Sequence, residues 1–365
     1  MSPDRTDPSQ NPAGRYHRQM LLPDIGDAGQ QRLSAARVLI IGCGALGCGV
    51  ADLLARAGVG TLRIVDRDIV EETNLQRQVL FCQADADSAR PKAIAAAERL
   101  RAINPIINIE PLVDDFRAAN AGLITTDMDM LIDGLDNFDG RYLLNDIAAK
   151  YHLPYIYAGA VGTGGVVMPV LPRGCPLDRT IRWTDAQATP CLRCVFPEPP
   201  PAGSTPTCDT AGVLGPTIAA VIANQAAAAM SMLVGRMDGF DRSLHSIDPW
   251  KGEDRRLHTG SPRDDCPCCH DRVFEWLEHG RGRDTSALCG REMVQILPSS
   301  SSPLDLAVLA QRLTPHGTIK CDEHTLRIDL TQESTSITVF ADGRALIGLA
   351  DPAAARTLFD RYIGS

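Results

Sequence analysis

Several charged and amide side chains that could bind phosphate groups lie close together in the sequence. The stretch NLQRQ supplies Asn74, Arg77 and Gln78, Lys92 follows in RPK, and Asp136 lies in DGLDN. Arginine and lysine neutralise phosphate charge, and a carboxylate can hold Mg²⁺ together with phosphate oxygens. Two cations and such a carboxylate suit a triphosphate better than a dinucleotide. We therefore predict an ATP site, although each residue taken singly could be a solvated loop charge.

A glycine-rich turn precedes these residues. GCGALG places Gly42, Gly44 and Gly47 between an apolar strand and a helix, and Asp66 ends the next strand. Glycines let the backbone approach a phosphate, and the helix N-terminus favours its charge. A carboxylate in the position of Asp66 can bond ribose hydroxyls. The pattern predicts a nucleotide site without naming the nucleotide; the alternative is a tight turn that binds no ligand.

Two pairs of cysteines have the spacing of zinc ligands. Cys191 and Cys194 form CLRC, and Cys266 and Cys269 form CPCC, with 71 residues between the pairs. Four thiolates make a closed tetrahedral site without a position for water, so we predict a structural Zn²⁺. Cys268 is an alternative ligand from the second pair, but the two-residue spacing favours the outer cysteines.

Cys208 is a candidate nucleophile. It lies in TPTCDTAGVLGP, at the end of a long irregular segment and just before a helix. A thiol near a helix N-terminus can have a lowered pKa, which makes it more reactive. The alternative is an exposed and inert loop cysteine.

The elements that must position these residues alternate between strands and helices. Apolar runs predict strands in VLII, TLRIVD, INIEPLV, MDMLIDG, PYIYAG and GGVVMPVLP, and helices follow several of them. One helix is predicted within SARPKAIAAAERLRAIN, with Ser88 as its N-terminal cap. This alternation indicates a Rossmann-like, doubly wound α/β fold with a mostly parallel sheet.

Composition and pattern divide the chain into three parts. Residues 1–14 are polar and contain several prolines, which predicts a disordered segment. Residues 15–270 contain the alternating elements and both cysteine pairs, and residues 271–365 form a small α+β domain of unknown role. In that domain TLRIDL and SITVFADGRALIGL predict a hairpin, with Asp342–Gly343 as its turn. DPAAARTLFDRYIG predicts a capped final helix.

Charge and composition exclude some classes of partner. The net charge of −9 without a basic tract argues against nucleic acid. The N-terminal stretch lacks the apolar segment of a signal peptide, so we expect a cytoplasmic protein with no membrane partner. The uncharged stretch from Thr210 to Gly235 includes Pro216, Asn224 and Gln225, which favours a buried or subunit-interface helix over a membrane span.

In combination these motifs resemble the ThiF/MoeB/HesA family, the bacterial relatives of ubiquitin-activating enzymes. The resemblance covers about residues 15–270, roughly 70% of the chain. It rests on RYxRQ, the glycine turn, DxDxVxxxNLQRQ, RPK, DxxDNxxxR, CxxC, AGVLGP and CPxC. Members of this family adenylylate the C-terminal glycine of a small ubiquitin-like protein with ATP and Mg²⁺, so the resemblance implies an adenylyltransferase.

The resemblance also implies roles for individual residues. Arg18, in RYHRQ, would reach the ATP of the other subunit of a homodimer, and Cys208 matches a thiol that takes the activated carboxyl as a thioester or acyl disulfide. Asp136 would hold Mg²⁺. The residues implied to contact ATP are Gly42, Gly44, Gly47, Asp66, Asn74, Arg77, Gln78 and Lys92.

The sequence departs from the family pattern in places, and other functions stay open. Ala45 replaces a frequent third glycine, the segment before CLRC is long, and the C-terminal part lacks a rhodanese-type cysteine loop. A sulfur donor, if sulfur is transferred, would therefore be a separate protein. The partner is expected to be a sulfur carrier ending in Gly-Gly. The alternatives are activation of another carboxylate (a peptide C-terminus or a modified tRNA nucleoside), an NAD-dependent oxidoreductase or a non-catalytic scaffold.

Overall fold

The computed structural model describes residues 12–176, 180–200, 208–278, 293–297 and 304–364. Its helices are α1 (Pro12–Met20), α2 (Gly26–Ala35), α3 (Ala45–Ala57), α4 (Gln83–Asp87), α5 (Lys92–Ile103), α6 (Ala118–Ile124), α7 (Phe138–Tyr151), α8 (Leu192–Val195), α9 (Cys208–Ala211), α10 (Gly215–Leu233), α11 (Glu275–Glu278), α12 (Leu306–Leu313) and α13 (Pro352–Tyr362). Its strands are β1 (Arg37–Ile41), β2 (Thr61–Val65), β3 (Asn108–Leu112), β4 (Met130–Asp133), β5 (Tyr155–Val161), β6 (Gly164–Val170), β7 (Leu244–Asp248), β8 (Glu253–Leu257), β9 (Val294–Ile296), β10 (Gly317–Cys321), β11 (Thr325–Leu330), β12 (Thr335–Phe340) and β13 (Ala345–Ile347).

An eight-stranded sheet forms the centre of the larger part of the protein. Its strand order is β3-β2-β1-β4-β5-β6-β7-β8. The strands from β3 to β5 are parallel, and β6, β7 and β8 continue the sheet in antiparallel pairing. The predicted Rossmann-like α/β fold is confirmed. Because β1, β2 and β4 are adjacent and parallel, the loops that follow them lie at one edge of the sheet.

In the central strands β1, β2 and β4 both faces of the sheet are buried, which explains their continuous apolar runs. Val38 and Ile40 of β1 pack with α3, α5 and α10, whereas Leu39 and Ile41 pack with α6, α7 and α11. The central strand therefore separates two apolar layers. The glycine turn that follows β1 is held between them.

Helix α10 is the uncharged segment noted in the sequence. Among the described residues it is the one helix that is long and apolar enough to cross a membrane, and half of its most apolar stretch is buried within the protein. The side chain of Gln225 is fully buried and donates to the carbonyl oxygens of Asp133 (2.9 Å) and Ile156 (3.1 Å). The helix thus packs against the sheet as a core element, as the sequence predicted.

The predicted cap at Ser88 is wrong. Ser88 follows the short helix α4, and α5 begins at Lys92, after Pro91. A residue before proline is kept out of the helical region, so Arg90 cannot continue a helix into α5. Lys92 therefore stands in the first turn of α5.

A second sheet lies in the C-terminal part, with the order β10-β11-β12-β13-β9 and antiparallel pairing throughout. The predicted turn at Asp342–Gly343 connects β12 to β13, and Gly343 has a φ of +87°. Asp351 caps α13 by accepting from the amides of Ala353 and Ala354. Strand β10 was not predicted, because none of the residues of this edge strand is fully buried.

Residues 271–278 pack with the larger sheet. Trp276 lies against Tyr142 of α7, with 4.6 Å between ring centroids, and Lys150 pairs with Glu278 at 2.8 Å. We therefore place the start of the C-terminal domain beyond Glu278 rather than at residue 271. At the other end, α1 begins at Pro12, inside the predicted N-terminal segment, and residues 1–11 lie outside the described part of the chain.

Candidate functional site

The glycine turn after β1 is in close contact with the loop after β4. Gly42 has a φ of +85°, and a Cβ atom placed there would lie 2.5 Å from the carbonyl oxygen of Gly134. A Cβ at Gly47 would overlap the carbonyl oxygen of Gly42, so α3 can start this near the turn only with glycine. Gly44 is different, because a Cβ there would find its nearest atom at 3.8 Å. The space beside Gly44 is where a phosphate could approach the backbone.

Asp66 closes the turn from the end of β2. Its Oδ2 accepts from the backbone amide of Cys43 (2.6 Å) and its Oδ1 from that of Asp68 (2.7 Å). Burial raises the pKa of Asp66, and the nearby Lys92 ammonium opposes that shift. The structure places Asp66 beside the turn, as predicted, and the predicted contact with ribose stays a prediction.

Lys92 is buried and forms an ion pair with Asp68. Its Nζ lies 3.1 Å from Oδ2 of Asp68, and its backbone amide donates to the carbonyl oxygen of the same residue (2.9 Å). Arg67 pairs with Asp115 at 3.2 Å and lies 3.9 Å from Asp68. The sequence reasoning assigned no role to Asp68 or Arg67. The second aspartate of the motif DxDxV is Asp68, and this repeat of an acidic residue is the sequence feature that indicates a role for it.

The NLQRQ segment begins at a short 3₁₀ turn in the β2–α5 connection. Asn74 is buried and accepts from the amide of Glu71 (3.1 Å), which closes that turn. Gln78 is buried as well, and its Oε1 has no hydrogen-bond partner among the described residues. Arg77 is half-buried and donates to the carbonyl oxygen of Thr73 (2.8 Å). Asn74 therefore shapes the loop, while Arg77 and Gln78 keep bonding capacity for a ligand.

Asp136 follows β4 in a loop held by buried groups. Oδ1 of Asp133 accepts from the amide of Leu135 (2.9 Å), and Arg141 donates to the carbonyl oxygen of Leu135 (2.9 Å). Burial raises the pKa of Asp133. Asp136 itself is exposed and accepts from the side chain of Asn137 (3.2 Å). A fixed loop with an exposed carboxylate fits a Mg²⁺ ion held by one protein ligand and phosphate oxygens.

Arg18 is not brought to the glycine turn of its own chain. It is exposed on α1, where Tyr16 accepts from Asn104 (2.8 Å) and Gln19 donates to the carbonyl oxygen of Ala57 (3.0 Å). Ala57 ends α3, whereas the turn precedes the first residue of that helix. The 13 residues of α3 span about 20 Å. Within one chain, Arg18 therefore lies at the end of the domain opposite to the turn.

The structure brings the four predicted zinc ligands together. The Sγ atoms of Cys191, Cys194, Cys266 and Cys269 all lie within 4.8 Å of one another. The Sγ–Sγ distances are 3.6 Å between Cys191 and Cys266 and 3.4 Å between Cys194 and Cys269. A tetrahedral zinc with sulfur ligands at ~2.3 Å needs sulfur atoms about 3.8 Å apart. The cluster is thus compatible with zinc.

Cys268 does not belong to this four-sulfur cluster. It is fully buried. Its Sγ accepts from the side-chain Nδ2 of Asn145 (3.2 Å) and donates to the carboxylate of Asp146 (3.4 Å). Burial raises the pKa of Asp146 to about 6. The side-chain oxygen of Asn145 also accepts from the backbone amide of Leu192 (2.7 Å), which lies between Cys191 and Cys194. Asn145 therefore fixes the backbone of the first cysteine pair without being a ligand itself.

Cys208 is the first residue of α9, and its side chain lies outside the described part of the structure. The backbone that follows is described. The amide of Gly162 donates to the carbonyl oxygen of Gly212 (2.9 Å), and the amide of Leu214 donates to that of Gly162 (2.8 Å). Gly162 follows β5, so α9 lies near the same edge of the sheet as Asp136.

Residues 16–268 match the ThiF family. The chain belongs to the ThiF family. The matched range contains the glycine turn, the Lys92–Asp68 pair and the loop of Asp136. The predicted resemblance is confirmed, and so is the predicted enzyme class, because the named relatives are adenylyltransferases.

Three curated relatives show how far this similarity extends. The sulfur carrier protein ThiS adenylyltransferase of Bacillus subtilis is 37% identical over 353 residues, which cover 96% of this chain and 99% of that protein. The sulfur carrier protein adenylyltransferase of Thermus thermophilus is 37% identical, covering 70% of this chain and 90% of that protein. The SAMP-activating enzyme E1 of Haloferax volcanii is 36% identical, covering 72% and 91%.

Among solved structures, E. coli MccB with ATP matches with a TM-score of 0.57 and 22% identity, over 70% of this chain and 74% of that one. This likeness supports the fold of the ThiF part.

Proposed function

We propose that this adenylyltransferase uses ATP and Mg²⁺ to adenylylate the C-terminal glycine carboxylate of a ubiquitin-like sulfur carrier protein, with release of pyrophosphate. The observation that carries the proposal is the similarity to the ThiS adenylyltransferase of Bacillus subtilis over 96% of this chain. That similarity includes the C-terminal domain as well as the ThiF part. A sulfur carrier is therefore the substrate class best supported for this chain.

In the proposed reaction a carboxylate oxygen of the carrier attacks the α-phosphorus of ATP. The bond from that phosphorus to the bridging oxygen breaks, and pyrophosphate leaves with the electron pair. Such a transfer depends on positioning and charge neutralisation. Arg77 and Lys92 would neutralise the phosphates, and the open space beside Gly44 would admit them to the start of α3. Asp136 would hold Mg²⁺, which supplies further positive charge.

The proposal also covers what surrounds this step. The thiolate of Cys208 would attack the acyl adenylate, so that AMP leaves and a thioester forms. Arg18 would serve the ATP site of the partner in a homodimer, because it lies far from the turn of its own chain. A separate protein would donate the sulfur, and we place the reaction in the cytoplasm.

Pyrophosphate–ATP exchange tests the proposal. Zinc-loaded protein is mixed with purified carriers that end in Gly-Gly, and the matched control is the same carrier without its last glycine. We expect exchange with the intact carrier alone. Arg77→Ala and Asp136→Ala should abolish exchange, whereas Cys208→Ala should leave it intact because the thiol acts after adenylylation.

Two results would overturn the proposal. The absence of exchange with every Gly-Gly carrier would exclude a sulfur carrier as substrate. A loss of exchange in Cys208→Ala, in protein that still melts like the wild type, would show that the thiol is needed before pyrophosphate leaves.

A further inference from the structure

The C-terminal domain packs on the loop that leads into the nucleotide site. Phe340 and Leu346, on the β12–β13 hairpin, form one buried cluster with Ile69 and Ala89 of the larger part. Ile69 in turn makes an antiparallel bridge to Pro91, the residue before Lys92. The hairpin thus covers the backbone that joins Asp68 to the start of α5.

Arg344 links this hairpin to the ends of two strands of the larger sheet. Its side chain is 2% exposed, its Nη2 donates to the carbonyl oxygen of Val113 (3.0 Å), and its Nη1 donates to that of Arg67 (3.4 Å). Asp342 fixes the guanidinium from the other side by accepting from Nε (2.6 Å), and the ring of Phe340 lies 4.4 Å from it. Val113 and Arg67 lie just past the carboxyl ends of β3 and β2.

The carbonyl group of Arg67 stands between two functional carboxylates. Asp66 precedes it and holds the amide of Cys43 in the glycine turn, while Asp68 follows it and pairs with Lys92. A bond to this carbonyl therefore fixes the backbone from which both carboxylates extend. A second contact acts on the same residues, because Gln295 donates to Asp115 (3.2 Å), the carboxylate that pairs with Arg67.

We propose that Arg344 is a positioning residue for the nucleotide site, and that the C-terminal domain sets the affinity of the ThiF part for ATP through it. The inference deepens the proposed function and rests on it in taking ATP as the nucleotide. Arg344 holds the loop after β2 in the conformation that places Asp66 and also Asp68, the partner of Lys92. Without this contact the loop samples other conformations. ATP must then order the loop when it binds, which lowers its affinity.

Arg344→Ala, Arg344→Lys and the control Arg356→Ala test this role. Arg356 lies on α13, which packs on the face of the same sheet opposite to Phe340 and Leu346, and it pairs with Asp360 at 3.0 Å. Binding of ATP with Mg²⁺ is measured by calorimetry, and KM and kcat by pyrophosphate exchange. We expect Arg344→Ala to raise the Kd and KM for ATP about tenfold, or ~1.4 kcal/mol, with kcat at saturating ATP unchanged. Arg344→Lys should recover part of the affinity, and Arg356→Ala should match the wild type.

Thermal melting and zinc content establish that each variant is folded. If Arg344→Ala does not fold, Arg344→Lys gives the same readout with a cation still in place, and Gln295→Ala removes the separate hydrogen bond to Asp115, the partner of Arg67. An unchanged ATP affinity in the folded variants would overturn the inference, as would a fall in kcat with KM unaltered. Calorimetry with ATP needs no carrier, so this test is independent of whether a sulfur carrier is the substrate.

Discussion

Replacing Lys92 with methionine separates its role in the fold from its proposed role in binding the phosphates of ATP. The side chain is 3% exposed and its Nζ lies 3.1 Å from Oδ2 of Asp68, which is 16% exposed. At an effective dielectric of about 20, the attraction at this distance is about 5 kcal/mol, most of which offsets desolvation. Removing one partner of a buried pair leaves the other charge uncompensated and costs ~3–5 kcal/mol. Arg67 lies 3.9 Å from Asp68, so we expect about 3 kcal/mol.

The double variant Lys92→Met with Asp68→Asn completes a thermodynamic cycle. Because it has no uncompensated carboxylate, its free energy of unfolding, measured in urea, should return most of the way to the wild-type value. Pyrophosphate exchange should stay at least about 100-fold below wild type in both variants, since the cation that we propose to neutralise the phosphates is still missing.

Two results would refute this reasoning. A double variant that regains both stability and exchange would show that Lys92 acts only through the fold. A single variant as stable as the wild type would show that Asp68 does not depend on Lys92 for compensation. Asp68→Asn alone supplies the fourth corner of the cycle and shows whether the buried ammonium is tolerated without its partner.

Cys194→Ser should remove bound zinc, measured per chain, and with it metal binding worth on the order of 10 kcal/mol. Cys268→Ser should retain the metal, because its sulfur lies outside the four-sulfur cluster, and zinc loss in both variants would contradict that assignment. Gly47→Ala should destabilise the protein, because its Cβ would overlap the carbonyl oxygen of Gly42. Gly44→Ala should leave the melting temperature unchanged and weaken ATP binding on the order of tenfold. Equal loss of stability in the two glycine variants would argue against the turn geometry.

The fold of the larger part was predictable because the signals for its strands, turns and helices lie within short segments of the sequence. Val38 to Ile41 form one apolar run, since both faces of β1 are buried, and a glycine turn followed by a helix then dictates a parallel crossover. The cysteine pairs were predictable for a similar reason, because CxxC places two thiols on one side of a short turn. Their pairing across 71 residues needed only the known chemistry of zinc.

Contacts that depend on tertiary structure could not be predicted in this way. Arg344 and Val113 are 231 residues apart, and neither lies in a motif, so nothing local marks their hydrogen bond. Ser88 was a plausible helix cap by residue type, but Pro91 three residues later fixes the start of α5. Strand β10 lacks an apolar alternation because it is an edge strand, and its pairing with β11 supplies the order that its own sequence does not.

The pairing of Lys92 with Asp68 changes how the predicted cations are understood. The sequence suggests two free positive charges, but the structure shows one of them already held beside a carboxylate at the end of β2. A buried charge is tolerated when an opposite charge lies beside it, and the carboxylate of Asp68 supplies that partner at 3.1 Å from the Lys92 Nζ. In the proposed reaction the phosphates meet an ammonium whose position is fixed before they arrive, and little reorganisation remains to be done. Arg344, in the C-terminal domain, holds the backbone of the same loop. The ammonium of Lys92 and the residue that fixes the loop of its partner Asp68 are therefore far apart in the sequence.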